Sequence, residues 1–171
     1  MYKPIVGALL ALVTVAGSAT AHVTLETQTA VAGSYYKAVF RVPHGCDGAA
    51  TTRIRVQMPE GAVSVKPMPK PGWQVSVVRA ALAVPIKGDH ATITEAVREV
   101  AWEGGALPDE NFDEFAVMLK LPDTPGKIFF PVLQDCGAKT VRWIELPGAD
   151  QGARLRTPAP NLVLTARATG R

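Results

Sequence analysis

The stretch Thr51-Thr52-Arg53-Ile54-Arg55-Val56-Gln57-Met58 decides the fold class of this chain. Its apolar residues Ile54, Val56 and Met58 alternate with two arginines and a glutamine. A period of two places successive side chains on opposite faces of a strand, so that one face packs against a core and the other meets water. The stretch therefore predicts a β-strand in a sheet that is covered on one side.

Similar short runs recur along the chain, separated by turn-forming residues, and no stretch predicts a long helix. The predicted strands span residues 35–42, 51–58, 73–78, 91–102, 112–121, 128–133 and 141–146, with at most a short last strand at 162–164. Pro131 predicts an edge or a bulge in its strand, and residues 104–108 are expected to form a loop. About eight to ten short strands favour an all-β fold, an immunoglobulin-like or cupredoxin-like β-sandwich, with a closed barrel as the alternative.

The N-terminal residues have the features of an export signal. Lys3 supplies positive charge, an apolar run extends over residues 5–16, and Ala19-Thr20-Ala21 places small residues at a cleavage site. The apolar run is shorter than the ~20 residues that span a bilayer, and an uncleaved anchor is the alternative. We therefore expect a soluble exported protein, periplasmic or secreted.

Length and net charge indicate the domain organisation and give no sign of a nucleic-acid partner. Of the 171 residues, 18 are Lys or Arg and 15 are Asp or Glu, so loss of Lys3 with the signal leaves a net charge of only 17 − 15 = +2. Such a small charge gives no reason to expect a nucleic-acid partner. We expect a signal peptide at 1–21, one β-sandwich domain at 22–147, and a C-terminal segment at 148–171 that is frayed at its end.

Two cysteines, Cys46 and Cys136, are present. In an oxidising compartment an even pair most simply forms a disulfide. By closing the loop between the two cysteines, the bond would stabilise the folded protein by about 4 kcal/mol in the chain-entropy model. A pair of thiolate metal ligands is the alternative.

Cleavage after Ala21 would make His22 the first residue of the mature chain. An α-amine titrates near ~8 and an imidazole near ~6.5, so protons compete only weakly with a metal at neutral pH. Two nitrogens of one residue can close a chelate ring, and such donors suit Cu(II), which favours tetragonal nitrogen and oxygen ligands. A solvated histidine at a loose terminus is the alternative.

Further ligands could come from an acidic segment and from His44. Carboxylates occur at Asp109, Glu110, Asp113 and Glu114, and only Glu114 lies within a predicted strand pattern that would hold it rigidly. His90 falls in a predicted turn and is expected to be solvated.

Several stretches together resemble one known family. They are Ala21-His22-Val23-Thr24, Lys66-Pro67-Met68-Pro69-Lys70-Pro71-Gly72-Trp73, Trp102-Glu103-Gly104-Gly105-Ala106-Leu107-Pro108, Asn111-Phe112-Asp113-Glu114-Phe115 and Val141-Arg142-Trp143. They resemble the YcnI-like copper-binding domain family, long described as a domain of unknown function of the DUF1775 type, over nearly all of the mature chain to about Pro147.

The resemblance implies a β-sandwich that binds Cu(II) through a single-histidine brace. The amine and imidazole map onto His22, the carboxylate onto Glu114, and a tryptophan that shields the metal onto Trp143. A core-packing role is the alternative for Trp143. The Cys46–Cys136 disulfide would tie the loop of His44 near this site, where His44 would be an extra ligand or would cap its own loop.

These residues favour an exported Cu(II)-binding protein of copper homeostasis, a chaperone, buffer or scavenger that binds copper without turnover. The expected partners are the copper ion and a periplasmic copper chaperone or membrane copper transporter, with no nucleic acid. One alternative is a copper-dependent histidine-brace oxygenase in which His44 supplies the second histidine. The other is a structural sandwich module that binds no metal.

Overall fold

The computed structural model describes residues 22–88, 91–148 and 155–168. The predicted signal peptide at 1–21, the predicted turn at His90 and the last three residues of the predicted frayed end lie outside the described residues. Within those residues, no helix is long and apolar enough to cross a membrane.

The described residues form strands joined by turns and loops. In chain order they are β1 Thr24–Leu25, β2 Thr29–Val31, β3 Tyr35–Val42, β4 Thr51–Gln57, β5 Val63–Pro67, β6 Gln74–Lys87, β7 Thr92–Leu107, β8 Asp113–Lys120, β9 Gly126–Phe129, β10 Val132–Cys136, β11 Lys139–Trp143 and β12 Asn161–Thr165.

These strands build three sheets around one core. A four-stranded sheet has the order β1-β3-β8-β5, a five-stranded sheet the order β11-β10-β4-β7-β6, and a three-stranded sheet the order β2-β12-β9. Each sheet ends in free edge strands in the described part of the chain, so the predicted sandwich is confirmed and the closed barrel is not formed. The sheets share one core of fully or almost fully buried side chains, among them Phe40, Phe115, Leu119, Ile54, Val56, Trp102, Leu162 and Leu164.

The fold-deciding stretch behaves as its pattern predicts. It forms β4, and Ile54, Val56 and Met58 are at most 6% exposed. β4 lies between β7 and β10 near the middle of its sheet. Its apolar face therefore meets the opposite sheet, as period two requires.

The loop predicted at residues 104–108 is wrong over most of its length, because β7 continues to Leu107. Arg53 pairs with Glu103 while Thr51 pairs with Leu107, so β7 carries extra residues at a bulge. Gly104 has a φ of +81°, a conformation that glycine adopts without strain. Gly104 and Gly105 therefore bend the strand instead of ending it.

Pro131 divides the strand predicted at 128–133 into two. β9 pairs with β12 in the three-stranded sheet, whereas β10 pairs with β4 and β11 in the five-stranded sheet. Proline lacks the N–H that a continuous ladder needs. The chain consequently changes sheet at this residue.

The last strand is longer and more deeply packed than the sequence indicates. β12 lies between β2 and β9, and its Leu162 and Leu164 are 0% and 3% exposed. The packed β-sandwich therefore extends beyond the expected boundary at Pro147.

Candidate metal centre

A cavity of about 350 Å³ opens beside the first described residue. Four parts of the chain line it: His22, the loop from His44 to Asp47, Val141 and Trp143 on β11, and residues 155–157. β1 and β11 are edge strands of two different sheets. The cavity therefore lies where these two edges of the sandwich come together.

His22 and Trp143 make an aromatic contact at this cavity. Their ring centroids are 5.6 Å apart and the ring planes are inclined by 71°, an edge-to-face arrangement. Trp143 ends β11 opposite Val132 and is only 5% exposed. The indole is thus a fixed wall against which the imidazole rests.

The loop that carries His44 is closed by a tight turn. Cys46 and Ala49 exchange two backbone hydrogen bonds of 2.8 and 3.1 Å. Asp47 and Gly48 between them have φ values of 51° and 85°. Positive φ at both central residues is the type I′ geometry that an Asp-Gly pair favours. His44 Nδ1 lies 2.6 Å from Gly45 O and 3.9 Å from Asp109 Oδ1.

The predicted disulfide between Cys46 and Cys136 is confirmed. The two Cα atoms are 5.9 Å apart and both residues are at most 3% exposed. The bond fastens the His44 loop to the end of β10 and so to the five-stranded sheet. It also removes both sulfurs from the pool of thiolate metal ligands, as an oxidising compartment favours.

Glu145 holds the wall formed by residues 155–157. Its Oε2 accepts hydrogen bonds from the backbone N–H groups of Arg156 and Thr157, both at 2.8 Å. These bonds, that from Thr157 first, lower the pKa of the Glu145 carboxyl below its usual range. The carboxylate form of Glu145 is therefore the form that keeps this wall in place.

Asp47 brings a carboxylate to the cavity. Lys139 Nζ donates to Asp47 Oδ2 at 2.9 Å. This hydrogen bond, followed by the charges of Lys139 and His44, lowers the pKa of Asp47. Asp47 is thus a carboxylate across the physiological pH range.

Glu114 does not line this cavity. It is the second residue of β8, where its Oε1 accepts a 2.9 Å bond from Arg41 Nε, and Arg41 Nη2 also donates to Glu26 Oε1 at 2.9 Å. The strand register aligns Thr24 with Arg41 and Arg41 with Glu114. Glu114 therefore lies on the same sheet as β1, two strands away from it, and its carboxylate is engaged in an ion pair with Arg41.

The donors that the cavity offers are nitrogen and oxygen atoms of His22, His44 and Asp47. In the described residues, no three His, Cys, Asp or Glu side chains come together closely enough to hold a metal ion. A site at His22 would accordingly need main-chain nitrogen as well as side chains. Such a mixed set of nitrogen and oxygen donors fits Cu(II) better than a soft metal ion that prefers thiolate ligands.

Several residues of this site were not predicted from the sequence. Leu155, Arg156 and Thr157 reach the cavity from a segment whose pairing is long-range, and no local pattern marks them. Gln134 is different, because it lies on the same buried face of β10 as Val132 and Cys136. A glutamine at an inward strand position is a readable sign of a buried polar contact.

One solved structure of related sequence agrees with this architecture. An uncharacterised protein from Nocardia farcinica, whose crystal structure is described as an immunoglobulin-like fold, is 30% identical and superposes with a TM-score of 0.64. The match covers 84% of this chain and 97% of that chain. The seventh ScaB type I cohesin from Pseudobacteroides cellulosolvens is 10% identical, with a TM-score of 0.38 over 88% of this chain and 94% of that one. Among curated proteins none matches.

The family comparison matches nearly the whole described region. The model of the family described as "Domain of unknown function (DUF1775)" aligns with residues 22–164. This region begins at the cavity histidine and ends inside β12, so it contains every sheet of the sandwich. The chain therefore belongs to the DUF1775 family and has its immunoglobulin-like β-sandwich fold.

Proposed function

We propose that this protein is an exported Cu(II)-binding protein of copper homeostasis, acting as a chaperone, buffer or scavenger. The observation that carries the proposal is the position of His22, which lines a cavity and rests against a buried tryptophan. A histidine at a loose, solvated terminus would have no such fixed neighbour.

Cleavage after Ala21 would give His22 a free α-amine beside its imidazole. These two nitrogens would hold Cu(II) as a chelate, and Trp143 would exclude water from one side of the ion. Because the cavity is open to solvent, the ion could enter and leave without unfolding of the sandwich. Reversible access of this kind suits a protein that passes copper to a periplasmic chaperone or a membrane transporter.

Glu114, which does not line the cavity, would have to turn from Arg41 toward His22 to join the set as a carboxylate ligand. Copper would then replace Arg41 as the cation that this carboxylate meets, an exchange of one charge partner for another. The exchange is inexpensive, because the ion pair is exposed, with 47% and 41% of the two side chains accessible, and exposed pairs contribute only about 0.2–1 kcal/mol.

The test is a Cu(II) titration of the chain that begins at His22, followed by electron paramagnetic resonance (EPR). One equivalent should bind with the spectrum of a tetragonal nitrogen and oxygen site. His22→Ala should abolish this signal, whereas His90→Ala is the matched control and should retain it. An unchanged spectrum in His22→Ala would refute the proposal.

A copper-dependent oxygenase is the second candidate, and one observation favours it. His22 and His44 line the same cavity, and that chemistry normally uses a terminal histidine with a second histidine. His44→Ala tests the ligand set that the oxygenase requires. An unchanged EPR hyperfine pattern would refute the oxygenase, and loss of one nitrogen would show that the required second histidine is present.

A further inference from the structure

Gln134 is a buried polar residue behind the cavity wall. It is 0% exposed and lies on β10, two residues before the disulfide cysteine Cys136. A buried amide without partners would be strongly destabilising. Its hydrogen bonds therefore indicate which parts of the fold require it.

The side-chain amide of Gln134 joins three separate segments. Its Nε2 donates to the backbone oxygen of His44 and to Thr51 Oγ1, both at 2.8 Å. Its Oε1 accepts from Trp143 Nε1 at 2.9 Å. One side chain thus connects the His44 loop, β4 and the indole of the cavity wall.

The chemistry of the partners fixes the orientation of this amide. An indole N–H can only donate, so it must meet the amide oxygen, and a backbone carbonyl can only accept, so it must meet the amide nitrogen. Rotating the amide by 180° would oppose donor to donor at Trp143 and acceptor to acceptor at His44. No other residue type of this size can make all three contacts.

We propose that Gln134 is the positioning residue of the His22 cavity, setting the plane of the Trp143 indole and the position of the His44 loop relative to His22. The inference rests on the proposed copper function, and it adds a residue that is not among those lining the cavity. Gln134 acts through the residues it holds, in the way that outer hydrogen-bond partners orient metal ligands.

The first test needs no copper. Indole N–H signals are followed by NMR with hydrogen exchange, and Trp102 is the internal control because its Nε1 donates to Met68 O at 3.0 Å. In Gln134→Leu the Trp143 signal should shift and exchange faster, while the Trp102 signal stays unchanged. Retention of the wild-type Trp143 signal and protection would overturn the inference. If Gln134→Leu does not fold, Gln134→Met carries the same test.

The second test measures copper binding by variants that start at His22. Gln134→Leu should lower Cu(II) affinity by about tenfold or more and change the EPR parameters. Thr51→Val is the matched control, because it removes one partner of Gln134 but leaves the bonds to Trp143 and His44; it should bind as wild type. Gln134→Glu should recover part of the affinity, since a protonated carboxyl keeps an acceptor for Trp143.

The outcomes separate this inference from the proposed function. If wild-type protein binds Cu(II) and Gln134→Leu binds with the same affinity and spectrum, the positioning role is refuted and copper binding stands. If wild-type protein binds no Cu(II), the proposed function is refuted and the positioning role in a copper site falls with it.

Discussion

Removal of the Cys46–Cys136 disulfide should destabilise the protein strongly through its unfolded state. The bond closes a loop with a sequence separation of 90 residues. For a loop of this length the chain-entropy relation gives about 4.6 kcal/mol at 25 °C. Reduction with a dithiol removes the cross-link while leaving both sulfur atoms in the core, so most of this free energy should be lost on reduction alone.

The assays are thermal and urea unfolding of oxidised and reduced wild-type protein, with Cys46→Ala/Cys136→Ala as a third sample. For a chain of this size about 1 kcal/mol corresponds to 2–4 °C in Tm, so Tm should fall by about 9–18 °C. The denaturant slope m should rise, because a chain without the cross-link exposes more surface when unfolded. The double alanine variant should lose somewhat more, since it also truncates two buried side chains and the contact of Cys136 Sγ with Thr51 Oγ1 at 3.6 Å.

A loss below about 1 kcal/mol in the reduced wild-type protein, with m unchanged, would refute the chain-entropy reasoning. It would mean that the unfolded ensemble is already compact enough to hold the two cysteines near each other. A large loss seen only in the alanine variant would instead assign the effect to packing.

Three further perturbations test other parts of the structure. Glu114→Gln should weaken Cu(II) binding or change the EPR parameters, and identical values in both proteins would remove this residue from the site. The carboxyl of Glu145 has a lowered pKa, so its stabilising contribution is present above the ordinary value of 4.5 and is lost as pH falls through the pKa of the folded state. Glu145→Gln should abolish this acid transition. Hydrogen exchange of the Arg156 and Thr157 backbone amides measures it. Gly105→Ala should destabilise by about 1–3 kcal/mol, because an added Cβ would overlap the Trp73 indole. Gly148→Ala is the control, because an added Cβ there would meet no atom of the described residues within 4 Å. Equal unfolding midpoints in the two variants would contradict the overlap.

The sequence predicted the strands whose pattern is local. The alternation around Ile54 and Val56 needs only a covered face, and the structure covers it. The strand through Gly104 was missed because a bulge is fixed by the pairing partner and by contact with Trp73, which no local pattern encodes. The depth of Leu162 was missed for the same reason, since β12 gains its place from β2 and β9, far away in the chain.

The site was predictable only in part. His22 and Trp143 were named from the sequence, and the structure places their rings in contact. The separation of Glu114 from this cavity was not predictable, because it depends on long-range pairing. Glu114 on β8 lies opposite Arg41 on the neighbouring strand β3 and forms an ion pair with it. Copper ligation by Glu114 and His44 therefore stays a prediction.

The central claim is that the α-amine of His22 is a copper ligand. Two purified forms test it most directly, one beginning at His22 and the other carrying a single additional alanine before it. The extra residue removes the free amine from His22 and leaves every side chain of the sandwich in place. A brace requires tight one-to-one Cu(II) binding, seen by titration and EPR, in the first form only. Equal affinity and identical spectra in both forms would contradict the brace and move the site to other donors.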